Sequence, residues 1–241
     1  MKSECEQRSW PAWRLIAICL INTALVTGCG QTTTAGVGTG GTGSVAKTVS
    51  GTVADGYLVG ATVFIDKNSY DELDVDEVPT QTDENGFFTL SIDSADVGRH
   101  PIVARAIRGV TIDKDTGQTV ADSYLLSMPK ERVTVAGGGN FISPISTWAH
   151  KTMAANPGST LEEIKAQLRV YMGMPKEMDM LADYISLESP TSSDLHNNYA
   201  IMHSVAQNMV PLLAQGLPFR NISTALRVKM GGGMMGMGMG K

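Results

Sequence analysis

The stretch Val49-Ser-Gly-Thr-Val-Ala-Asp-Gly-Tyr-Leu-Val-Gly-Ala-Thr-Val-Phe-Ile-Asp66 decides the expected fold. Successive side chains of a strand point to opposite faces, so an apolar residue at every second position predicts a half-buried strand. Asp55-Gly56 is a turn signal between two such runs. The stretch therefore predicts antiparallel strands joined at this turn. The alternating positions are Val49, Gly51 and Val53 before the turn, and Ala61, Val63 and Ile65 after it.

The same alternation continues beyond this stretch. Asn85-Gly86 is a tight-turn signal, and apolar residues recur at every second position after it. We expect six or so short strands, forming a small antiparallel β-sandwich over residues 48–137. The further candidate strands carry Phe88, Leu90 and Ile92, or span Ile102 to Ile112, Ser123 to Met128, and Arg132 to Ala136.

After Gly137-Gly138-Gly139 the pattern becomes helical. Ser143 is suited to cap a helix that begins at Pro144, and Ser159 and Glu162 have capping-box spacing. A third helix should begin near Ser193. The chain is therefore predicted to be α+β, with an N-terminal β-sandwich followed by a small α-helical bundle over residues 141–228. The apolar positions of the second and third helices are Leu161, Ile164, Leu168 and Tyr171, then Leu195, Tyr199, Met202, Ala206, Met209 and Leu213, with Pro211 near the end.

Residues 1–28 have the pattern of an export signal. Lys2, Arg8 and Arg14 precede an apolar run from Leu15 to Val26, which is shorter than the roughly 20 residues that a membrane span needs. The sequence Leu25-Val-Thr-Gly-Cys29 resembles the lipobox of bacterial lipoproteins. That resemblance implies cleavage before Cys29, acylation of its thiol and amine, and anchoring to a membrane through lipid.

The residues around Cys29 extend this interpretation. Cys5 and Cys19 would leave with the signal peptide, so the mature chain could form no internal disulfide. Gly30 stands where the lipoproteins of the inner membrane usually have Asp, so the resemblance favours the cell envelope's outer membrane. Residues 29–47 are rich in glycine and threonine, and they predict a flexible tether.

The β region resembles a known family of extracellular modules. The stretch from Val49 to Asp66, followed by Thr82-Asp-Glu-Asn-Gly-Phe-Phe-Thr-Leu90, is similar to carboxypeptidase-regulatory-like domains of bacterial surface proteins. The resemblance covers residues 49–135 and implies a transthyretin-like β-sandwich. Such domains are accessory modules that space, dock or bind without catalysis. The resemblance therefore implies a protein or glycan partner, whose identity the sequence leaves open.

An acidic segment within this region has the spacing of a calcium loop. Oxygen-bearing residues stand at the first, third, ninth and twelfth positions of a twelve-residue stretch, a spacing that can wrap oxygens around one Ca²⁺. The fifth-position ligand and the glycine of such loops are missing, so affinity should be weak. The alternative is a solvated acidic loop without an ion. The candidate ligands are Asp66, Asn68, Glu72 (through its carbonyl), Asp74 and Glu77.

Several function classes are disfavoured. The net charge of −5 argues against binding to nucleic acid, which requires clustered basic residues. His196 and His203 are two helical turns apart, so packing is expected rather than a shared metal. Ser143, Ser146 and His150 lack the motif of a nucleophile elbow, and no phosphate-binding or zinc motif occurs, so no enzyme is expected.

The C-terminal residues 229–241 consist almost entirely of methionine and glycine. Thioethers are soft ligands that select Cu(I), so the alternative function is a copper-handling lipoprotein that uses this tail. The simpler interpretation, which we favour, is a disordered tail.

Overall fold

A computed structural model describes residues 45–135, 137, 139–188, 194–219, 221, 222 and 224. These residues form a mixed α+β structure. The predicted signal peptide, Cys29, nearly all of the tether and the Met/Gly tail lie outside the described residues. The described strands are β1 Ala46–Val53, β2 Leu58–Val59, β3 Thr62–Ile65, β4 Thr80–Gln81, β5 Phe87–Asp93, β6 Ile102–Ala106, β7 Ile112–Asp113, β8 Gln118–Thr119, β9 Tyr124–Met128 and β10 Asn140–Ile142, and the described helices are α1 Pro144–Ala155, α2 Leu161–Met172, α3 Tyr184–Leu187 and α4 Asp194–Ala214.

The strands form three sheets, with orders β10-β1-β5, β4-β3-β6-β9 and β2-β7-β8. The alternation predicted after Asn85-Gly86 is confirmed, since every second residue of β5 is buried. Apolar side chains of the first two sheets meet in one core. This core contains Val49, Val53, Phe88, Leu90 and Ile92 from the first sheet, and Val63, Ile65, Ile102, Ala104, Leu126 and Met128 from the second.

The edge of the first sheet differs from the prediction. Over its described residues, the predicted strand from Arg132 to Ala136 is wrong, because Lys130–Arg132 form a 3₁₀ turn after Pro129 and no strand follows among the described residues before β10. The backbone of Thr134 bonds to the Asn140 side chain instead of a neighbouring strand, with Thr134 N donating to Asn140 Oδ1 at 2.9 Å. The strand in this region is β10, and it pairs with β1 in parallel, whereas the other strand pairs are antiparallel among the described residues.

Helix α1 begins as predicted. Ser143 caps it, Pro144 is its first residue, and Ser146 completes a capping box with Ser143. The hydroxyl of Ser146 also donates to the carbonyl oxygen of Ser127 in β9 at 2.7 Å, and the Ser127 N–H donates to Thr147 Oγ1 at 2.8 Å. Since β10 leads directly into this cap, α1 is fixed to both of the larger sheets.

The second capping box lies one residue later than predicted. Thr160 and Glu163 form it, rather than Ser159 and Glu162. Ser159 and Thr160 are each followed three residues later by a glutamate, so spacing alone could not decide which pair forms the capping box. The Ser159 N–H donates to Asn156 O at 3.1 Å, which keeps Ser159 in the preceding turn. Helix α2 ends at Met172, and its C-cap residue Gly173 adopts a left-handed conformation with φ 67°.

The helices enclose a second core. The predicted positions Tyr199, Met202, Ala206 and Met209 of α4 are buried, whereas Leu195 is exposed. Helix α3, which was not predicted, contributes the fully buried Tyr184. Tyr184 packs edge-on against Phe141 of β10 at a centroid distance of 4.9 Å, so this core extends to the first sheet. Within the described part of the chain, no helix combines the length and apolar character that crossing a membrane requires.

Candidate functional site

The predicted calcium loop is closed by its own backbone. Asp66 is fully buried at the end of β3, and its two carboxylate oxygens accept the N–H groups of Ser69 at 2.7 Å and Asp71 at 3.1 Å. Glu77, also buried, accepts the N–H groups of Lys67 at 2.7 Å and Asp74 at 3.1 Å. The first and twelfth residues of the predicted loop therefore point inward and hold the segment together.

The other predicted ligands lie nearer the surface. The Asn68 amide bonds to the Asp74 carboxylate, and Glu72 is exposed. Asp71 has a left-handed conformation with φ 60° and pairs with Lys151 of α1. Among the described residues, no group of three or more His, Cys, Asp and Glu side chains is placed to hold a metal ion. The structure thus brings the two buried carboxylates into one loop without assembling a complete ligand set.

A second acidic site, which was not predicted, surrounds Asp55. The Asp55-Gly56 turn between β1 and β2 packs against the β7–β8 hairpin, where the Lys114 N–H donates to Tyr57 O at 3.0 Å. A Cβ atom added to Gly56 would lie 2.5 Å from Asp115 Cγ, so only glycine permits this close approach. A cavity of about 460 Å³ opens beside the turn, between the hairpin, β9 and the end of α4.

Asp55 is the unusual residue of this cavity. Asp55 is one of the residues that line the cavity, although it is only 5% exposed. The Tyr124 hydroxyl donates to Asp55 Oδ2 at 2.6 Å, whereas Oδ1 is buried without a hydrogen-bond partner among the described residues. Burial raises the pKa of Asp55 to about 7, and the nearby charges of Asp113 and Asp115 add to this effect. Asp55 therefore changes its charge near neutral pH.

The remaining lining of the cavity combines acidic and apolar groups. Asp113 and Asp122 bring two further carboxylates, and the lining residues include no lysine or arginine. Val120, Val210, Pro211 and Ala214 supply apolar surface from the β8–β9 connection and from α4. The other lining residues are Thr116, Gln118, Thr119, Ala121 and Tyr124.

His203 of α4 joins the hairpin to the helical core close to this cavity. Its Nδ1 lies 2.9 Å from Glu188 Oε2, and its Nε2 lies 2.7 Å from Asp115 Oδ2. Burial disfavours the charged imidazolium, but the bonds to Glu188 and Asp115 and their negative charges outweigh it and raise the pKa of His203. His203 thus holds Asp115 in place beneath the Gly56 turn.

Ser143, Ser146 and His150, for which the sequence does not predict catalysis, are held by hydrogen bonds within the fold. Ser143 and Ser146 bond to each other in the cap of α1. His150 Nδ1 instead lies 2.8 Å from Ser127 Oγ, and burial together with the charge of Lys151 lowers the pKa of His150.

The sequence did not predict the cavity beside Asp55, because the dipeptide Asp55-Gly56 indicates a turn and not a binding site. Its lining comes from segments that only the fold brings together, such as Asp55, Asp113, Tyr124 and Val210. Comparison of the chain with family models, with curated proteins and with solved structures finds no match.

Proposed function

We propose that the protein is a lipoprotein of the cell envelope, anchored by lipid on Cys29 to the outer membrane. The observation that carries this proposal is the Leu25-Val-Thr-Gly-Cys29 sequence, which stands shortly before the first strand at Ala46. The glycine- and threonine-rich segment between them would reach roughly 20 to 25 Å as a random chain. The folded part would then stand clear of the lipid surface.

In this proposal the folded part is a non-enzymatic binding or structural module, built as a β-sandwich followed by a helical bundle. The shared apolar core of the two larger sheets supports the sandwich, and the separate core enclosed by the helices supports the bundle. The hydroxyls of Ser143 and Ser146 are committed to capping α1, which supports a role without a serine nucleophile. The partner would be a protein or a glycan outside the cytoplasm.

Replacement of the anchoring cysteine tests the lipoprotein proposal. Cys29→Ser should abolish acylation, so the protein should move from the detergent phase to the aqueous phase on phase separation. Intact mass should show that the wild type, unlike Cys29→Ser, has lost residues 1–28 and gained acyl chains. Cys19→Ser is the matched control, because that residue would leave with the signal peptide. An unchanged mass and partitioning of Cys29→Ser would refute the proposal.

We further propose that Ca²⁺ stabilises the loop from Asp66 to Glu77. Each carboxylate oxygen can accept more than one partner, so the backbone bonds to Asp66 and Glu77 leave lone pairs for a cation. Because the loop already closes through backbone donors, the effect should be modest. At a dissociation constant of about 10⁻⁴ to 10⁻³ M, as in extracellular modules, about 5 mM Ca²⁺ should add roughly 1 to 2 kcal/mol.

A thermal melt measures this stabilisation. The midpoint should rise by roughly 2 to 8 °C on going from chelator to calcium. Glu77→Gln should lose most of the calcium-dependent shift, whereas Glu84→Gln, which removes an exposed carboxylate outside the loop, should keep it. A wild-type midpoint that is the same in calcium and in chelator would count against the loop as a calcium site.

A further inference from the structure

We propose that the cavity beside Asp55 binds a small organic cation, with its ammonium group against the carboxylates of Asp55 and Asp113 and its apolar part against Val210 and Pro211 of α4. This inference goes beyond the proposed function, since it assigns a site and a ligand class. It also stands independently of lipid anchoring at Cys29.

The first argument is the unpartnered oxygen of Asp55. Buried polar atoms nearly always have a hydrogen-bond partner, and a buried acceptor without one destabilises the fold. Asp55 Oδ1 has none among the described residues, although Tyr124 bonds to the other oxygen of the same carboxylate. An ammonium group carries up to three donors on one atom, so it could satisfy Oδ1 and reach a second carboxylate as well.

The second argument is the charge around the cavity. Asp55, Asp113 and Asp122 line it, and Asp115 lies behind the Gly56 turn. The neighbouring basic groups each have a partner: Lys114 Nζ donates to Glu84 O at 3.0 Å, Arg108 lies 3.9 Å from Asp122 and offsets its charge at the exposed rim, and His203 offsets Asp115. Among the described residues, Asp55 and Asp113 are left without a basic partner. The field inside the cavity therefore favours a cation over an anion or a neutral molecule.

The third argument is the size and lining of the cavity. A volume of about 460 Å³ lies in the range of small-molecule sites, about 300 to 1,000 Å³, and is much larger than a bare metal ion needs. Val120, Val210, Pro211 and Ala214 offer no ligand to a metal but can cover a hydrocarbon chain. An amine with a short aliphatic chain can contact the carboxylates with its ammonium group and the apolar residues with its hydrocarbon chain.

Titration calorimetry of the full chain in detergent with n-butylammonium chloride tests the proposal, with 1-butanol as the uncharged analogue. Butylammonium should bind at least tenfold more tightly than butanol. Asp55→Asn should reduce the affinity for butylammonium at least tenfold. Asp194→Asn is the matched control, because it removes the same charge at the first turn of α4, about 24 Å along the helix from Val210. Its affinity should equal that of the wild type.

Wild-type protein alone supplies a second measurement, which does not depend on the folding of a variant. Because the cation needs ionised Asp55, the affinity for butylammonium should rise about tenfold from pH 6 to pH 8, and binding below pH 7 should release a proton. Asp122→Asn, at the exposed rim, should weaken binding only two- to threefold. Equal binding of butanol, a pH-independent affinity, an unaffected Asp55→Asn variant or no binding of butylammonium would each overturn the proposal.

Discussion

Asp55→Asn is expected to remove an unusual decline in stability with rising pH. Wild-type protein should lose about 2 kcal/mol of unfolding free energy through Asp55 between about pH 5.5 and pH 8. The cause is burial, which raises the pKa of this carboxyl to about 7 in the folded chain. Asparagine has nearly the same shape and can still accept the Tyr124 hydroxyl, but it does not ionise.

The direction follows from proton counts. At pH 5.5 the unfolded chain has an ionised Asp55, whereas the folded chain holds the proton, so raising the pH favours the unfolded state until the folded carboxyl has also ionised. His203 acts in the same direction, since its raised pKa gives stability that is lost as the pH passes through that value. His150, whose pKa is lowered, acts in the opposite direction. Both histidines remain in the Asp55→Asn variant.

Urea denaturation of wild type and Asp55→Asn at the two pH values isolates the contribution of Asp55. The difference in unfolding free energy between the two proteins should shift by about 2 kcal/mol in favour of the variant on going from pH 5.5 to pH 8. His203→Asn is the control, because the unfolding free energy of this variant should still fall with pH by the amount that Asp55 contributes. A difference between wild type and Asp55→Asn that does not change with pH would show that Asp55 is solvated in the folded protein.

The sequence predicted those parts of the fold in which local pattern and burial agree. The alternation of Phe88, Leu90 and Ile92 is confirmed, since these three side chains form the buried face of β5. The predicted start of α1 at Ser143-Pro144 is confirmed as well. Strand β10 was missed because three residues are too few for a visible period and the glycines before it look like a linker. The false strand after Arg132 had the apolar alternation, but its backbone is held by the side chain of Asn140.

The acidic loop from Asp66 to Glu77 and the cavity beside Asp55 likewise show that a local pattern cannot predict tertiary contacts. Spacing identified the loop from Asp66 to Glu77, since its carboxylates are neighbours in the chain. Spacing could not indicate that Asp66 and Glu77 turn inward to accept backbone N–H groups. The cavity beside Asp55 has no signature in the sequence, because its carboxylates become neighbours only when the β7–β8 hairpin closes over Gly56. Side chains that meet through tertiary packing lie beyond any local pattern.

The parallel contact between β1 and β10 joins the first sheet to helix α1, and Gly51 lies opposite Asn140 in this contact. A Cβ atom added to Gly51 would lie 2.8 Å from both the carbonyl carbon and the Cβ of Asn140. Asn140 cannot move aside easily, because its amide donates to Ser50 O and Thr134 O, each at 2.8 Å. Two residues after Asn140 the strand ends, and Ser143 caps α1.

Gly51→Ala should therefore lower the unfolding free energy by about 3 kcal/mol, at the upper end of the cost of overpacking, since the clash is with backbone rather than with a flexible side chain. Gly60→Ala is the matched control: Gly60 has φ 73° and no atom within 4 Å of an added Cβ, so only its left-handed backbone costs about 1 kcal/mol. Urea denaturation of both variants measures the difference. If Gly51→Ala cost no more than Gly60→Ala, β1 and β10 would be able to separate without disturbing α1, and their pairing would not be what holds the helices to the sheet.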